Sequence, residues 1–337
     1  MTLKDDLPSW PTTIGVGLLA GGALFLYAVR RSVSSKWGSC IYKNMDIKGK
    51  TVIITGANTG LGYDAALTMA DRNAKLILAC RNSEKGNKAV QTIIQKTGNA
   101  DVRFMELDLA SLTSIEKFAN EYLSKDDKLD VLLCNAGVWF PMDQKKKTEN
   151  GFEIHFGVNH IGHHYLISLL KDKILKDSSR IVMVASSLLN VGQIDMELKD
   201  FVEEGRPHKN ASWIPTGYAD SKLMNALMAK QYASAGLQSI SLCPGWCKTD
   251  LGRSVPLSLF NKFVMFFVSS LFRKTSTKGS ETLIHGAFAN DIVNGAVYAD
   301  CKISDKMNSK LEGLLETGNQ LHSLSDELIT SKLNSRS

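Results

Sequence analysis

The 337-residue sequence predicts one α/β domain on a doubly wound parallel sheet, preceded by a membrane-spanning helix. Three observations predict it: short β-branched apolar runs alternating with helical patterns from Thr51 onward, a glycine-rich turn after the first run, and an uncharged apolar stretch from Thr12 to Val29. With 44% hydrophobic residues the chain can bury one large core, which favours a single large domain over two small ones. The formal charge of +6 includes Arg30, Arg31, Lys36 and the run Lys145-Lys146-Lys147. That run reads as solvated surface. No basic face with interleaved aromatics accompanies it, so nucleic acid is not an expected partner. The six cysteines (Cys40, Cys80, Cys134, Cys243, Cys247, Cys301) lack metal-ligand spacing, and several sit in apolar runs where a thiol packs as a small hydrophobe, which suits a reducing compartment.

As a helix, Thr12 to Val29 would be roughly 27 Å long at about 1.5 Å per residue, just enough for a thin endoplasmic reticulum bilayer. Lys4, Asp5 and Asp6 precede it and Arg30-Arg31 follow, the reverse of a cleaved signal peptide's charge order. The stretch therefore reads as an uncleaved signal-anchor, with the large domain placed in the cytosol by its cationic carboxyl flank. Gly17 and Gly21 have the spacing of a helix-pairing face, which leaves a homodimer open.

After a linker over 32–50 comes the strand Thr51-Val52-Ile53-Ile54, then Thr55-Gly56-Ala57-Asn58-Thr59-Gly60-Leu61-Gly62, then a helical run from Asp64. Glycine permits positive φ and close ligand approach, and a helix start offers free N–H groups, so this turn suits a pyrophosphate. The second strand, Lys75 to Cys80, ends at Arg81 with no acidic residue beside it; an arginine there favours a 2′-phosphate, hence NADP(H). The third strand, Val102 to Leu107, ends at Asp108, placed to meet the adenine. The fourth, Val131 to Leu133, runs into Cys134-Asn135-Ala136-Gly137, whose small residues admit a cofactor. These features give a Rossmann-type fold.

In Tyr218-Ala219-Asp220-Ser221-Lys222 a spacing of four puts tyrosine and lysine on one helix face. A free phenol titrates near 10, and a neighbouring ammonium, helped by oxidised nicotinamide, should lower that value so that Tyr218 works as acid in reduction and base in oxidation. Ser186 follows the strand Arg180 to Ala185, at the carboxyl edge of the sheet, where its hydroxyl can hold a reacting oxygen; Ser187 is the alternative. His155, His160, His163 and His164 crowd one segment, but no cysteine or acidic cluster joins them, and no metal is expected.

Together TGANTGLG, Asp108, CNAG and Tyr-x-x-x-Lys resemble the short-chain dehydrogenase/reductase family over about residues 45 to 320. LACRNSEKG, GFEIHFGVNHIGHHYL and PGWCKTDL resemble its membrane-anchored retinol dehydrogenase-like branch. The resemblance implies catalytic roles for Tyr218, Lys222, Ser186 and Asn159, the last supporting the lysine through a water. It further implies cofactor contacts at the glycine turn, Arg81, Asp108, Leu109, Asn135 to Gly137, Tyr218, Lys222, Pro244, Gly245 and Thr249. Cys134 departs from the family's usual asparagine, a residue that supports the sheet.

The expectation is thus an endoplasmic reticulum-anchored, NADP(H)-dependent oxidoreductase of a lipophilic alcohol or carbonyl, with residues 1–31 as anchor segment, 51–320 as catalytic domain and 321–337 as polar tail, the chain beyond Asp300 being polar and helical in character. The greasy segment 260–272 is too short to span a bilayer and reads as a lid, a membrane contact or core. Two other functions stay open: an acyl-chain ketoreductase, and a cofactor-binding membrane scaffold without turnover.

Overall fold

The computed structural model describes residues 24–35, 37, 40, 45–197, 199, 201–205, 215–249, 251, 268–269 and 271–335. They fall into two units. The smaller holds residues up to 38 together with 257–273; the larger holds 39–256 and 274–337.

In the smaller unit a helix, α1, runs over 24–35 and exposes Leu24, Phe25 and Tyr27. The guanidinium of Arg30 donates to the carbonyls of Leu271 and Arg273 at 2.9 and 2.8 Å and lies 4.4 Å over the Trp37 ring. Residues 12–23 of the expected anchor lie outside the described residues, as do 260–267 and 270 of the greasy segment. Among the described residues no helix is long and apolar enough to cross a membrane.

The larger unit is built on one sheet of eight strands in the order β3-β2-β1-β4-β5-β6-β7-β8. The strands are β1 Thr51–Thr55, β2 Lys75–Cys80, β3 Val102–Glu106, β4 Val131–Cys134, β5 Arg180–Val184, β6 Gln238–Cys243, β7 Val297–Ala299 and β8 Lys302–Ile303. All pairings are parallel except the last, so the expected parallel sheet carries a short antiparallel edge. β3 and β5 each stop one residue earlier than the sequence suggests, at Glu106 and Val184. The apolar run continues past both strands, so hydrophobicity could not mark where pairing ends.

Every residue of β1 is buried. Ile53 points into one hydrophobic cluster, and Val52 and Ile54 into another, as the alternation of a strand covered on both faces requires. One layer is formed by α2 Gly60–Ala70, α3 Ser83–Thr97 and α7 Ser276–Phe288, through Ala66, Met69, Ile93, Leu283 and Ile284. The other is formed by α4 Leu112–Ser124, α5 Gly162–Asp177, α6 Thr216–Ser234 and α9 Leu315–Asn334. A shorter helix, α8, spans Asp305–Glu312. Burying each such Ile, Leu or Val contributes about 1.5–3 kcal/mol, which ties both layers to the sheet.

Helix α9 has the helical character expected of the tail, and its burial is the difference from the sequence reading. The polar tail buries Leu321, Leu324 and Ile329 in the same cluster as α5 and α6. A second difference is that the fold sets Cys40 against Cys301, with Cα atoms 5.6 Å apart across a separation of 261 residues, within reach of a disulfide. The other four cysteines are buried thiols. Local spacing carries no sign of a bridge that distant.

Candidate active site

Strand order reverses between β1 and β4, and in open α/β sheets a crevice forms beyond the carboxyl ends at that place. β1 ends at Thr55, and Gly56 and Gly60 in the following turn take φ of +67° and +61°, where a side chain would be strained. A Cβ on Gly56 would also lie 3.0 Å from Ala136, in the turn after β4. Helix α2 starts at Gly60, so the N–H groups of its first turn have no partner within the helix and stand at the crevice edge, beside Asn58 and Thr59 in sequence. Asn135 donates to the Thr55 carbonyl at 2.8 Å, and the Ala136 N–H donates to the Thr55 hydroxyl at 2.9 Å. The two strand ends are thereby clasped into a cradle that fits a pyrophosphate.

His163 backs the clasp, a contact the sequence did not signal. Its Nδ1–H donates to the Asn159 carbonyl at 3.0 Å, so its Nε2 accepts from the Thr55 hydroxyl at 2.9 Å. Burial lowers its pKa to about 4, which keeps the ring neutral.

Arg81 follows β2 and is exposed. Asp108 sits beyond β3 with its carboxylate accepting from Ala110 N–H at 2.9 Å, and Leu109 beside it is buried. After β6, Pro244 and Gly245 are braced by Lys274, whose ammonium donates to the Pro244 carbonyl at 3.3 Å and pairs with Asp300. Neither Lys274 nor Asp300 is singled out by the sequence. Thr249 packs near the turn: its methyl would be 3.4 Å from a Cβ on Gly60.

Tyr218 and Lys222 lie one turn apart on α6, both buried, with Lys222 Nζ 5.6 Å from the Tyr218 ring centre. Ser186 follows β5, and its hydroxyl acts to lower the Tyr218 pKa, against the effect of burial. Lys222 Nζ donates to the Val184 carbonyl at 2.8 Å. A Cβ on Gly137 would be 3.4 Å from both Lys222 Nζ and Asn159 Oδ1, so the fourth strand's turn, the lysine and the asparagine converge. Asn159 itself lies in a π-helical turn, Phe156–Ile161, the kind of irregularity that gathers at functional sites. Its amide oxygen accepts from Val138 N–H at 2.7 Å, and its nitrogen donates to Ser221 Oγ at 3.0 Å.

One electrostatic expectation is corrected. Burial pushes the Tyr218 phenol up, and the Ser186 hydrogen bond only partly opposes it. Burial also pulls Lys222 down to about 8. Desolvation is the largest effect at both groups, because both lie in the protein interior. The remaining histidines pair within the fold: His160 with Ser325, and His164 with Tyr232 and Asp326. Among the described residues no cluster suited to a metal ion occurs.

The switch-point crevice, the glycine turn and the tyrosine-lysine helix define a dinucleotide-type α/β dehydrogenase. The chain belongs to the short-chain dehydrogenase/reductase family: the profile of the short chain dehydrogenases matches residues 50–197. Within it the chain is of the retinol dehydrogenase-like branch. It is 37% identical to retinol dehydrogenase 11 of Homo sapiens over 82% of this chain and 84% of that one. Retinol dehydrogenase 14 of Mus musculus is 36% identical over 86% and 90%. Among solved structures, a protein from Mycobacterium paratuberculosis superposes with a TM-score of 0.64 at 26% identity, covering 86% of this chain and 97% of its own. This membership makes the protein an oxidoreductase of alcohol and carbonyl groups.

Proposed function

We propose that the protein is an NADP(H)-dependent oxidoreductase that interconverts alcohol and carbonyl on a lipophilic substrate of retinoid, steroid or polyprenol type, with Tyr218 as acid and base. The observation that carries this reading is the placement of buried Tyr218 and Lys222 one turn apart on α6, with Lys222 Nζ 5.6 Å from the Tyr218 ring centre and Ser186 just beyond β5 at the carboxyl edge of the sheet. Nicotinamide supplies or accepts the hydride. Ser186 holds the substrate oxygen, and Tyr218, kept protonated by burial, gives it a proton in reduction. In oxidation Tyr218 takes that proton back, and Lys222, cationic at neutral pH with a pKa of about 8, favours the anionic state it passes through. Asn159 holds the turn beside the lysine and completes the relay.

Gly56, Asn58, Thr59, Gly60, Leu61 and Gly62 would hold the pyrophosphate. Arg81 would read the 2′-phosphate, Asp108 and Leu109 the adenine end, Asn135 to Gly137 the middle, and Pro244, Gly245 and Thr249 the nicotinamide end. The lipophilic substrate is supported by the names of the relatives and by Trp139, whose ring lies 4.6 Å from that of Tyr218. The uncharged stretch from Thr12 to Val29 with Arg30 and Arg31 behind it supports an endoplasmic reticulum anchor and a cytosolic domain.

Tyr218→Phe tests the assignment. NADPH oxidation with a panel of lipophilic aldehydes and ketones should fall by at least about a thousandfold while NADPH still binds. Retained turnover would remove Tyr218 from the mechanism, and binding without turnover in the unaltered protein would favour the scaffold.

A further inference from the structure

The loop from Gly137 to Met142 leaves the cofactor cradle and carries Trp139 onto Tyr218. Two backbone N–H groups of this loop are held by side chains from one helical segment. Asn159 Oδ1 accepts from Val138 N–H at 2.7 Å, and His155 Nε2 accepts from Phe140 N–H at 3.0 Å. His155 and Asn159 are four residues apart, so they stand as two pegs on one face, and Trp139 lies between the residues they hold. The ring of Trp139 is tilted 38° to that of Tyr218.

The protonation pattern at the outer peg follows from the geometry. Nε2 receives a backbone N–H, so it carries no proton. Nδ1 therefore carries one, and it donates to Glu153 Oε1 at 2.6 Å. The other carboxylate oxygen of Glu153 accepts the N–H groups of His155 and Phe156, both at 2.8 Å. Glu153 and His155 are both buried. The carboxylate is thus fixed by three donors, and it orients the imidazole so that Nε2 faces the Phe140 N–H as an acceptor. The pair also reaches α6: a Cβ on Gly217, next to Tyr218, would meet His155 Nδ1 at 3.0 Å and Glu153 Oε1 at 3.2 Å. The His155 ring itself meets Tyr218 edge to face at 6.4 Å.

We propose that Glu153-His155 is a positioning pair that, with Asn159, pins the 138–140 loop so that Trp139 walls the substrate side of Tyr218 and sets the fit of an apolar substrate there. The proposal rests on the reading of Tyr218 as the reacting residue. The hydrogen bonds of the His155 ring go to the Phe140 N–H and to Glu153, so its loss acts on the loop and through it on substrate fit. Replacing it by leucine leaves the partly buried Phe140 N–H without this acceptor and frees the loop.

The test uses the full-length protein in detergent, as His155→Leu, His155→Gln and Trp139→Leu. Glutamine restores an acceptor near the position of Nε2; leucine does not. Backbone amide exchange over 138–142, measured without any ligand, should quicken by about tenfold in His155→Leu and return towards the unaltered rate in His155→Gln. KM for a lipophilic aldehyde should rise about tenfold in His155→Leu and Trp139→Leu, with NADPH affinity changed less than about twofold. Recovery in His155→Gln would support the clamp. Unchanged exchange and KM in His155→Leu would overturn it, as would a fall in kcat with KM unmoved. If His155→Leu does not fold, an unchanged KM in Trp139→Leu overturns it instead. An unaltered protein that turns over no aldehyde defeats the functional reading, whereas the exchange result judges the clamp independently.

Discussion

Gly62→Ala sets two physical effects against each other at the cofactor cradle. By helix propensity the change should stabilise α2 by about 1 kcal/mol. In the structure a Cβ at that position would stand 2.5 Å from Asn135 Nδ2, 2.9 Å from the Gly56 carbonyl oxygen and 3.1 Å from Ala57 Cα. The last two are backbone atoms and cannot swing aside. Asn135 would have to leave, and its amide is the one that joins the ends of β1 and β4 through the Thr55 carbonyl. Losing that bond costs about 1–3 kcal/mol, and overpacking costs a further 1–3 kcal/mol or so. Set against the propensity gain, the net is a destabilisation of about 1–5 kcal/mol. Urea unfolding followed by circular dichroism measures the first consequence, and NADPH titration by fluorescence measures the second, a loss of affinity of about tenfold or more. A higher unfolding midpoint with cofactor affinity intact would mean that Gly62 is an ordinary helix residue and that the cradle is not packed as described.

Three further outcomes are expected. Arg81→Glu should move cofactor preference from NADP(H) towards NAD(H) by at least about tenfold in the ratio of kcat/KM; an unchanged ratio would remove Arg81 from 2′-phosphate recognition. His163 is held at a pKa of about 4, below the ordinary 6.5, so its contribution to stability is complete above pH 6.5 and is lost as pH falls towards 4. His163→Gln should therefore flatten that acid slope by roughly 3 kcal/mol, at about 1.4 kcal/mol per pKa unit, read from urea midpoints between pH 7 and 4.5. The Cys40-Cys301 pair tests the proposed orientation, since a disulfide persists only in an oxidising compartment. Denatured without reductant from cells, a cytosolic domain should bind maleimide at all six cysteines; protection of that pair alone would place the domain in the lumen.

The strands were legible because a parallel sheet covered on both faces needs continuous apolar runs, and Thr51–Thr55, Lys75–Cys80 and Arg180–Val184 are such runs. Tyr218 and Lys222 were legible because four residues make a helical turn. What escaped was long-range. Lys274 reaches Pro244 from thirty residues away, and His163 reaches Thr55 across 108. No local period records either. The burial of the helical tail escaped for a different reason: Leu321, Leu324 and Ile329 form a narrow stripe in a segment whose average is polar, and averages hide stripes. The phenol's upward shift was missed because sequence shows the neighbouring charge but not the depth of burial.

The histidine-rich segment shows how one stripe can serve two strand ends, those of β1 and β4. His155, Asn159 and His163 recur every fourth residue and hold Phe140 N–H, Val138 N–H and the Thr55 hydroxyl in turn. On a regular α-helix, positions four apart drift by about 40° per step, so three in a row would fan across the surface. The π-helical turn over Phe156–Ile161 is wider, and each residue in it turns through a smaller angle, which offsets part of that drift. The irregular turn is thus what lets a single face meet both the cradle and the loop beside Tyr218. A histidine crowd that resembles a metal site in sequence is, in the fold, a row of hydrogen-bonding side chains that sets where the backbone of the active edge lies.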